Sequence, residues 1–184
     1  MRRKLPLMVV TITALFISYI FVPVNSQADT QVPVTTNMAT IASIASRQDL
    51  PILLVFSAKH CSYCELLEEE ILKPMILSGD YRDRVLIYKV MLDGGNQIIN
   101  FQGKPTTADE LAIQYGVFVT PTMLFLDNQG KELSERLLGI NTVEMFGGLV
   151  DKGIFESRQK LQLRKKRLVS NLQPIESETL KKAN

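Results

Sequence analysis

Residues 51–72 read Pro51-Ile52-Leu53-Leu54-Val55-Phe56-Ser57-Ala58-Lys59-His60-Cys61-Ser62-Tyr63-Cys64-Glu65-Leu66-Leu67-Glu68-Glu69-Glu70-Ile71-Leu72. The run from Ile52 to Phe56 is apolar at every position, as a strand buried on both faces should be. A short connection follows, and then a helical pattern whose first turn carries both cysteines of the chain. Two cysteines three apart at a helix start can close a small ring and reopen it. The first sits where unpaired backbone N–H groups and the positive end of the helix dipole favour a thiolate. The thiolate, not the thiol, is the species that attacks a disulfide. A structural disulfide stabilises mainly by closing a long loop, and this pair closes almost none, so the spacing favours a redox role.

The rest of the chain supplies the setting. Its 184 residues suffice for one domain with a targeting segment and a tail. The formal charge of +2 is too small to argue for a nucleic-acid partner. The N-terminus has the form of an export signal. Arg2, Arg3 and Lys4 are followed by an uncharged stretch from Leu5 to Val24, and Ser26-Gln27-Ala28 offers small residues where a signal peptidase reads. The stretch is also long enough to span a bilayer. Residues 1–28 are therefore read as a signal peptide cleaved after Ala28 or as an uncleaved membrane anchor. Either places the domain in the periplasm or another extracytoplasmic, oxidising space.

Taken in order, residues 29–37 are polar with Pro33 and read as a linker. A short helix begins at Asn37 or Thr40 and ends near Asp49. After the strand at 52–57 and the cysteine helix, Pro74 ends or kinks that helix. Glu69 and Lys73 form an i,i+4 pair. A second strand covers Val85 to Leu92, and a longer excursion runs from Asp93 to Pro105. Thr107-Ala108-Asp109-Glu110 is a capping-box pattern opening a helix to about Tyr115, with Gly116 as its stop. Thr122 to Leu126 is a third strand, 127–130 a hairpin turn, and Lys131 to Leu138 a fourth strand. Asn141 or Thr142 caps a last helix with Val143, Phe146, Leu149, Val150 and Ile154 as its apolar face. Gly147, Gly148 and Gly153 weaken it, so packing must hold it. From Glu156 the chain is polar and rich in Lys and Arg: a solvated helical extension or frayed tail, or a surface for acidic lipid or a partner.

The order helix, strand, Cys-x-x-Cys helix, strand, helix, Thr-Pro strand, strand, helix resembles the thioredoxin fold over residues 38–155. The specific elements are Phe56 to Cys64, Tyr115-Gly116-Val117-Phe118-Val119-Thr120-Pro121-Thr122, the Asp127–Gly130 hairpin and Gly139. The resemblance implies an α/β fold with a central mixed sheet flanked by helices, and a thiol–disulfide oxidoreductase. Within that family the chain resembles exported, SoxW-like reductases. Cys61 and Pro121 are 60 positions apart (121 − 61), which leaves no room for the helical insertion of DsbA-type oxidases.

The resemblance assigns Cys61 as nucleophile and Cys64 as the resolving thiol. It assigns His60, Ser62, Tyr63, Thr120 and Pro121 to the substrate surface, with a cis bond before Pro121. A protonated His60 would favour the thiolate; otherwise it shapes the substrate surface. The acid that helps deprotonate the second cysteine of thioredoxin would fall at Val55, which cannot do so. Glu68 is a candidate replacement, although its position reads as a solvated helix face. No cofactor and no metal are expected: His60, Cys61 and Cys64 are three ligands at most, too few for a closed four-ligand site. The implied partners are protein disulfide substrates and a membrane-bound thiol reductant. A weak thiol oxidant and a non-enzymatic binding module are the rival readings.

Overall fold

A computed structural model describes residues 31–95 and 97–182, with side chains described through Asn171. The expectations placed on residues 1–30, the signal or anchor and the start of the linker, lie outside them. The elements are α1 (Met38–Gln48), β1 (Ile52–Ser57), α2 (Ser62–Leu67), a π-helical turn (Glu68–Leu72), α3 (Lys73–Ser78), β2 (Leu86–Met91), β3 (Gln97–Ile99), β4 (Pro105–Thr107), α4 (Ala108–Tyr115), β5 (Thr122–Leu126), β6 (Leu137–Leu138) and α5 (Val143–Lys182).

The main sheet has the order β2-β1-β5-β6. β2 runs parallel to β1, and β5 and β6 bring antiparallel pairing. β1 is central, which explains its unbroken apolar sequence. Alternate side chains go to opposite faces. Leu53 and Val55 join Leu67, Ile71, Leu72, Phe146, Val150 and Ile154 on one face. Ile52, Leu54 and Phe56 join Met38, Ile41, Leu111 and Ala112 on the other. The cysteine helix and α5 thus cover one side of the sheet, and α1 and α4 the other.

Local chemistry sets the helix ends. The Asn37 side chain accepts from Thr40 N–H at the start of α1. Thr107 and Glu110 make the reciprocal capping box of α4, and Gly116 closes that helix in the left-handed conformation at φ 63°. Lys73 and Glu69 pair at 2.5 Å. Pro74 does not end the helix. The turn before it widens to π geometry, with Lys73 N–H bonded to Glu68 C=O, so the chain stays helical through Ser78 although Pro74 has no N–H to give.

Four expectations need correction. The linker read at 29–37 is, from Val32 onward, part of the domain. Val32 is buried, Val34 pairs in parallel with Lys89, and Thr35 N–H donates to Lys89 C=O. Its polar composition concealed that the free edge of β2 needs backbone partners. The excursion after Asp93 contains an antiparallel ribbon, β3 with β4. The fourth strand shrinks to Leu137–Leu138 with an isolated bridge between Leu126 and Glu132. The chain leaves the ladder between them because Ser134 bonds Gly153 C=O and Ser157 of α5, while Arg136 folds back onto Glu132 and the Tyr115 carbonyl. In α5 the buried stripe is Phe146, Val150 and Ile154, whereas Leu149 faces solvent.

Candidate active site

β1 delivers the chain to the site at its C-terminal end. His60 adopts a left-handed backbone, φ 54°, a conformation that His tolerates better than most residues. It turns the chain so that Cys61 becomes the N-cap of α2. Cys61 is extended (φ −104°, ψ 97°), and its carbonyl accepts from Cys64 N–H at 2.9 Å and Glu65 N–H at 3.1 Å. Its sulfur takes the place of a capping oxygen: Cys64 N–H points at Cys61 Sγ over 3.2 Å. This is the arrangement in which the orphan N–H groups and the dipole of a helix start favour negative charge on sulfur.

Cys61 and Cys64 are joined by a disulfide with Cα atoms 5.2 Å apart. The two sulfurs are not equivalent. Cys64 is buried, 7% exposed, whereas Cys61 is partly open to solvent. An incoming thiol or disulfide reaches Cys61 first.

The second wall of the site is the segment before β5. Thr120 Oγ1 donates to Cys61 Sγ at 3.4 Å. The Thr120–Pro121 peptide bond is cis, Pro121 is buried, and its carbonyl accepts from Gly139 N–H of the neighbouring turn. Thr122 is fully buried and donates through Oγ1 to Val119 C=O at 2.7 Å, closing the loop on itself. His60, Ser62 and Tyr63 are exposed beside Cys61. At the foot of the connection, Asp93 Oδ2 accepts Lys59 N–H at 2.7 Å, tying the end of β2 to the approach to Cys61.

Beneath the helix lies a pair that the sequence reading placed otherwise. Glu68 is not a solvated helix-face charge. Its carboxylate meets Lys89 Nζ at 2.6 Å and accepts Val32 N–H at 3.2 Å, with side-chain exposures of 17% for Glu68 and 15% for Lys89. Lys89 is the register partner of Val55 in the β1–β2 ladder. The helix thus sets a carboxylate, one turn beyond Cys64 in sequence, against the lysine that neighbours Val55 in the ladder.

Residues 38–154 match the family model described as a thioredoxin-like domain. The chain belongs to that family. It is a thiol–disulfide oxidoreductase of thioredoxin fold, with Cys61–Cys64 as its disulfide. Among solved structures it is similar to thioredoxin O2 from Arabidopsis thaliana in the oxidised state, at 24% identity over 67% of this chain and 94% of that one, TM-score 0.46. It is also similar to the oxidised C-terminal domain of DsbD from Neisseria meningitidis, at 20% identity over 63% and 89%, TM-score 0.45. Mitochondrial thioredoxin 3 from Saccharomyces cerevisiae, oxidised form, aligns at 20% identity over 68% and 94%, TM-score 0.46. No curated protein matches the chain.

In this thioredoxin-like domain three groups near the site went unread in the sequence. Phe118 is 85% exposed in the loop leading to Thr120, beside the exposed Val119. The apolar run Val117-Phe118-Val119 between Gly116 and Thr120 was the available signal. Lys89 was legible only as a lysine within an apolar alternating strand. Asp93 was read as the start of the excursion to Pro105, and nothing local marks its bond to Lys59.

Proposed function

We propose that the protein is an extracytoplasmic reductase of protein disulfides, acting through the Cys61–Cys64 dithiol. The carrying observation is the asymmetry of the pair: a partly open Cys61 whose sulfur receives two donors, and a buried Cys64. In the reduced protein Cys61 attacks a substrate disulfide as the thiolate. One substrate sulfur leaves as a thiol and a mixed disulfide forms on Cys61. Cys64 then attacks Cys61 Sγ, the second substrate sulfur departs, and the intramolecular disulfide closes. Two electrons have passed to the substrate, and a thiol reductant at the membrane must return them.

Cys64 must lose its proton to resolve the intermediate. We assign the acceptor to Glu68, which lies one turn on along the same helix face and is held in place by Lys89. His60, Ser62, Tyr63, Thr120 and Pro121 form the surface on which the substrate strand lies.

The reducing direction is supported by the donors at Cys61. Those that reach its sulfur are a backbone N–H and a hydroxyl, both neutral. Neutral donors stabilise a thiolate less than an ionised partner does, and a less stabilised thiolate goes with a more reducing disulfide. The extracytoplasmic setting is supported by the basic start and the uncharged Leu5–Val24 stretch. The test is the reduction potential of the pair equilibrated against glutathione. A value near about −270 mV fits an electron donor, and one near about −120 mV makes the protein an oxidant and removes the reductase assignment.

A further inference from the structure

The site lies at one end of the sheet, and a cluster of basic residues on α5 lies at the other. Cys61 follows the C-terminal end of β1. Asp49 precedes its N-terminal end, and Asp127 follows the antiparallel β5 at that same far end. α5 reaches this far end and is fastened there. Arg164 pairs with Asp127 at 2.7 Å and Lys165 with Asp49 at 2.6 Å. The helix then continues past the domain to Lys182, a further 17 residues (182 − 165).

The extension has an unusual composition. From Ser157 to Ile175 it carries Arg158, Lys160, Arg164, Lys165, Lys166 and Arg167, and no acidic residue. Arg164 and Lys165 are neutralised by the domain. Lys166 and Arg167 are exposed and make no ion pair among the described residues. Leu163, Leu168 and Val169 are interleaved with them and stand 56%, 64% and 52% exposed. Leu168 continues the stripe on which Val150 and Ile154 are fully buried, but the domain no longer covers it.

The direction of the chain at its other end agrees. The segment beginning at Val32 runs parallel to β2, with Lys89 N–H bonded to Pro33 C=O and Thr35 N–H to Lys89 C=O. It therefore enters from the end of the sheet at which Asp49 lies. The uncharged Leu5–Val24 stretch stands only 8 residues upstream of Val32 (32 − 24).

We propose that the basic extension of α5 is a docking surface for an anionic lipid bilayer, which holds the domain with Cys61 facing away from the membrane. Cations alone would suit an acidic protein equally well. The uncharged Leu5–Val24 stretch, only a few residues upstream of the segment that enters at this same end, favours a bilayer, where the cations of a juxtamembrane helix sit against anionic headgroups. Each such cation multiplies the affinity by roughly fivefold. The inference is independent of the direction of the redox reaction.

The chain contains no tryptophan, so Val169→Trp gives a single reporter on the extension. The full chain carrying it is mixed with vesicles of phosphatidylcholine alone or with added phosphatidylglycerol. The expected result is a blue shift of emission with phosphatidylglycerol only, lost at about 0.5 M salt, where screening acts within a few ångströms. Lys166→Glu/Arg167→Glu in the same background is expected to abolish it, and the milder Lys166→Gln/Arg167→Gln to weaken it by roughly thirtyfold. Equal shifts with both vesicles, no shift with either, or a shift that survives both paired substitutions would overturn the proposal. A shift produced as strongly by soluble polyglutamate would assign the surface to an acidic protein instead.

Discussion

The Glu68 carboxylate closes on the Lys89 ammonium at 2.6 Å, across the boundary between the cysteine helix and β2. Its other oxygen accepts Val32 N–H, so one side chain joins the helix, the strand and the strap that runs along the edge of the sheet. Removing one member of a largely buried pair leaves the other uncompensated. Glu68→Leu is expected to cost about 2–4 kcal/mol in urea unfolding, and Glu68→Leu/Lys89→Met to recover most of it. A single-variant loss below about 1 kcal/mol would place the pair among ordinary surface bridges. Glu68→Gln separates the redox role from the structural one. It is expected to slow resolution of the mixed disulfide while leaving the first attack by Cys61 intact, and equal slowing of both steps would remove Glu68 as proton acceptor.

The exposure difference between the cysteines predicts which variant traps substrate. Cys64→Ser should accumulate a mixed disulfide with a protein substrate, visible on non-reducing gels, because the thiol that resolves it is missing. Cys61→Ser should form none, since the remaining thiol is buried. Full turnover by Cys64→Ser would show that the dithiol mechanism is wrong.

Thr120 acts on the nucleophile through one hydrogen bond. Thr120→Val keeps the shape and removes the donor. Attack on a model disulfide at pH 7 should slow by about fivefold, the equivalent of about 1 kcal/mol. An unchanged rate would mean that this hydroxyl does not stabilise the thiolate.

The glycines of α5 predict opposite signs for the same substitution. A Cβ on Gly153 would run into the Phe125 ring, while one on Gly148 meets nothing. Gly153→Ala is expected to destabilise by about 1–3 kcal/mol through overpacking, and Gly148→Ala to stabilise by roughly 0.5–1 kcal/mol through helix propensity. Thermal melts of the two variants decide it, and shifts of the same sign would contradict this packing.

Tyr115 predicts the behaviour at high pH. Burial first, and then the nearby Asp127 and Glu132 carboxylates, push its hydroxyl above the usual tyrosine value. Its O–H donates to Gly130 C=O at 2.8 Å. A raised folded value means that the contribution to stability is complete below the unfolded value of about 10 and is lost as pH rises beyond it. Tyr81 is raised as well, again chiefly by burial, and adds to the same decline. Tyr115→Phe is expected to lower stability by about 1 kcal/mol at pH 8 and to fall less steeply than the parent between pH 9.5 and 11. Parallel declines in urea unfolding would refute the assignment.

The sequence by itself determined the parts whose physics is local. The double-sided burial of Ile52–Phe56, the Thr107–Glu110 capping box and the placement of both cysteines in one helical turn are properties of neighbouring residues and were legible, as was the start of α1 to within the choice of Asn37 or Thr40. The central mixed sheet and its flanking helices were expected from the resemblance to the thioredoxin fold, and the two-sided burial of β1 agrees with it. Only the tertiary structure decided what depends on residues far apart in the chain. The strap of Val32–Thr36 exists because β2 has an edge to fill, and the fourth strand is short because Ser134 and Arg136 are drawn to α5, Glu132 and Tyr115. Glu68 reads as one of three consecutive helix glutamates until Lys89, 21 residues away, arrives beneath it. Burial and charge pairing are set by what folds against a residue, and for Glu68 that partner is invisible at the spacing of a helix.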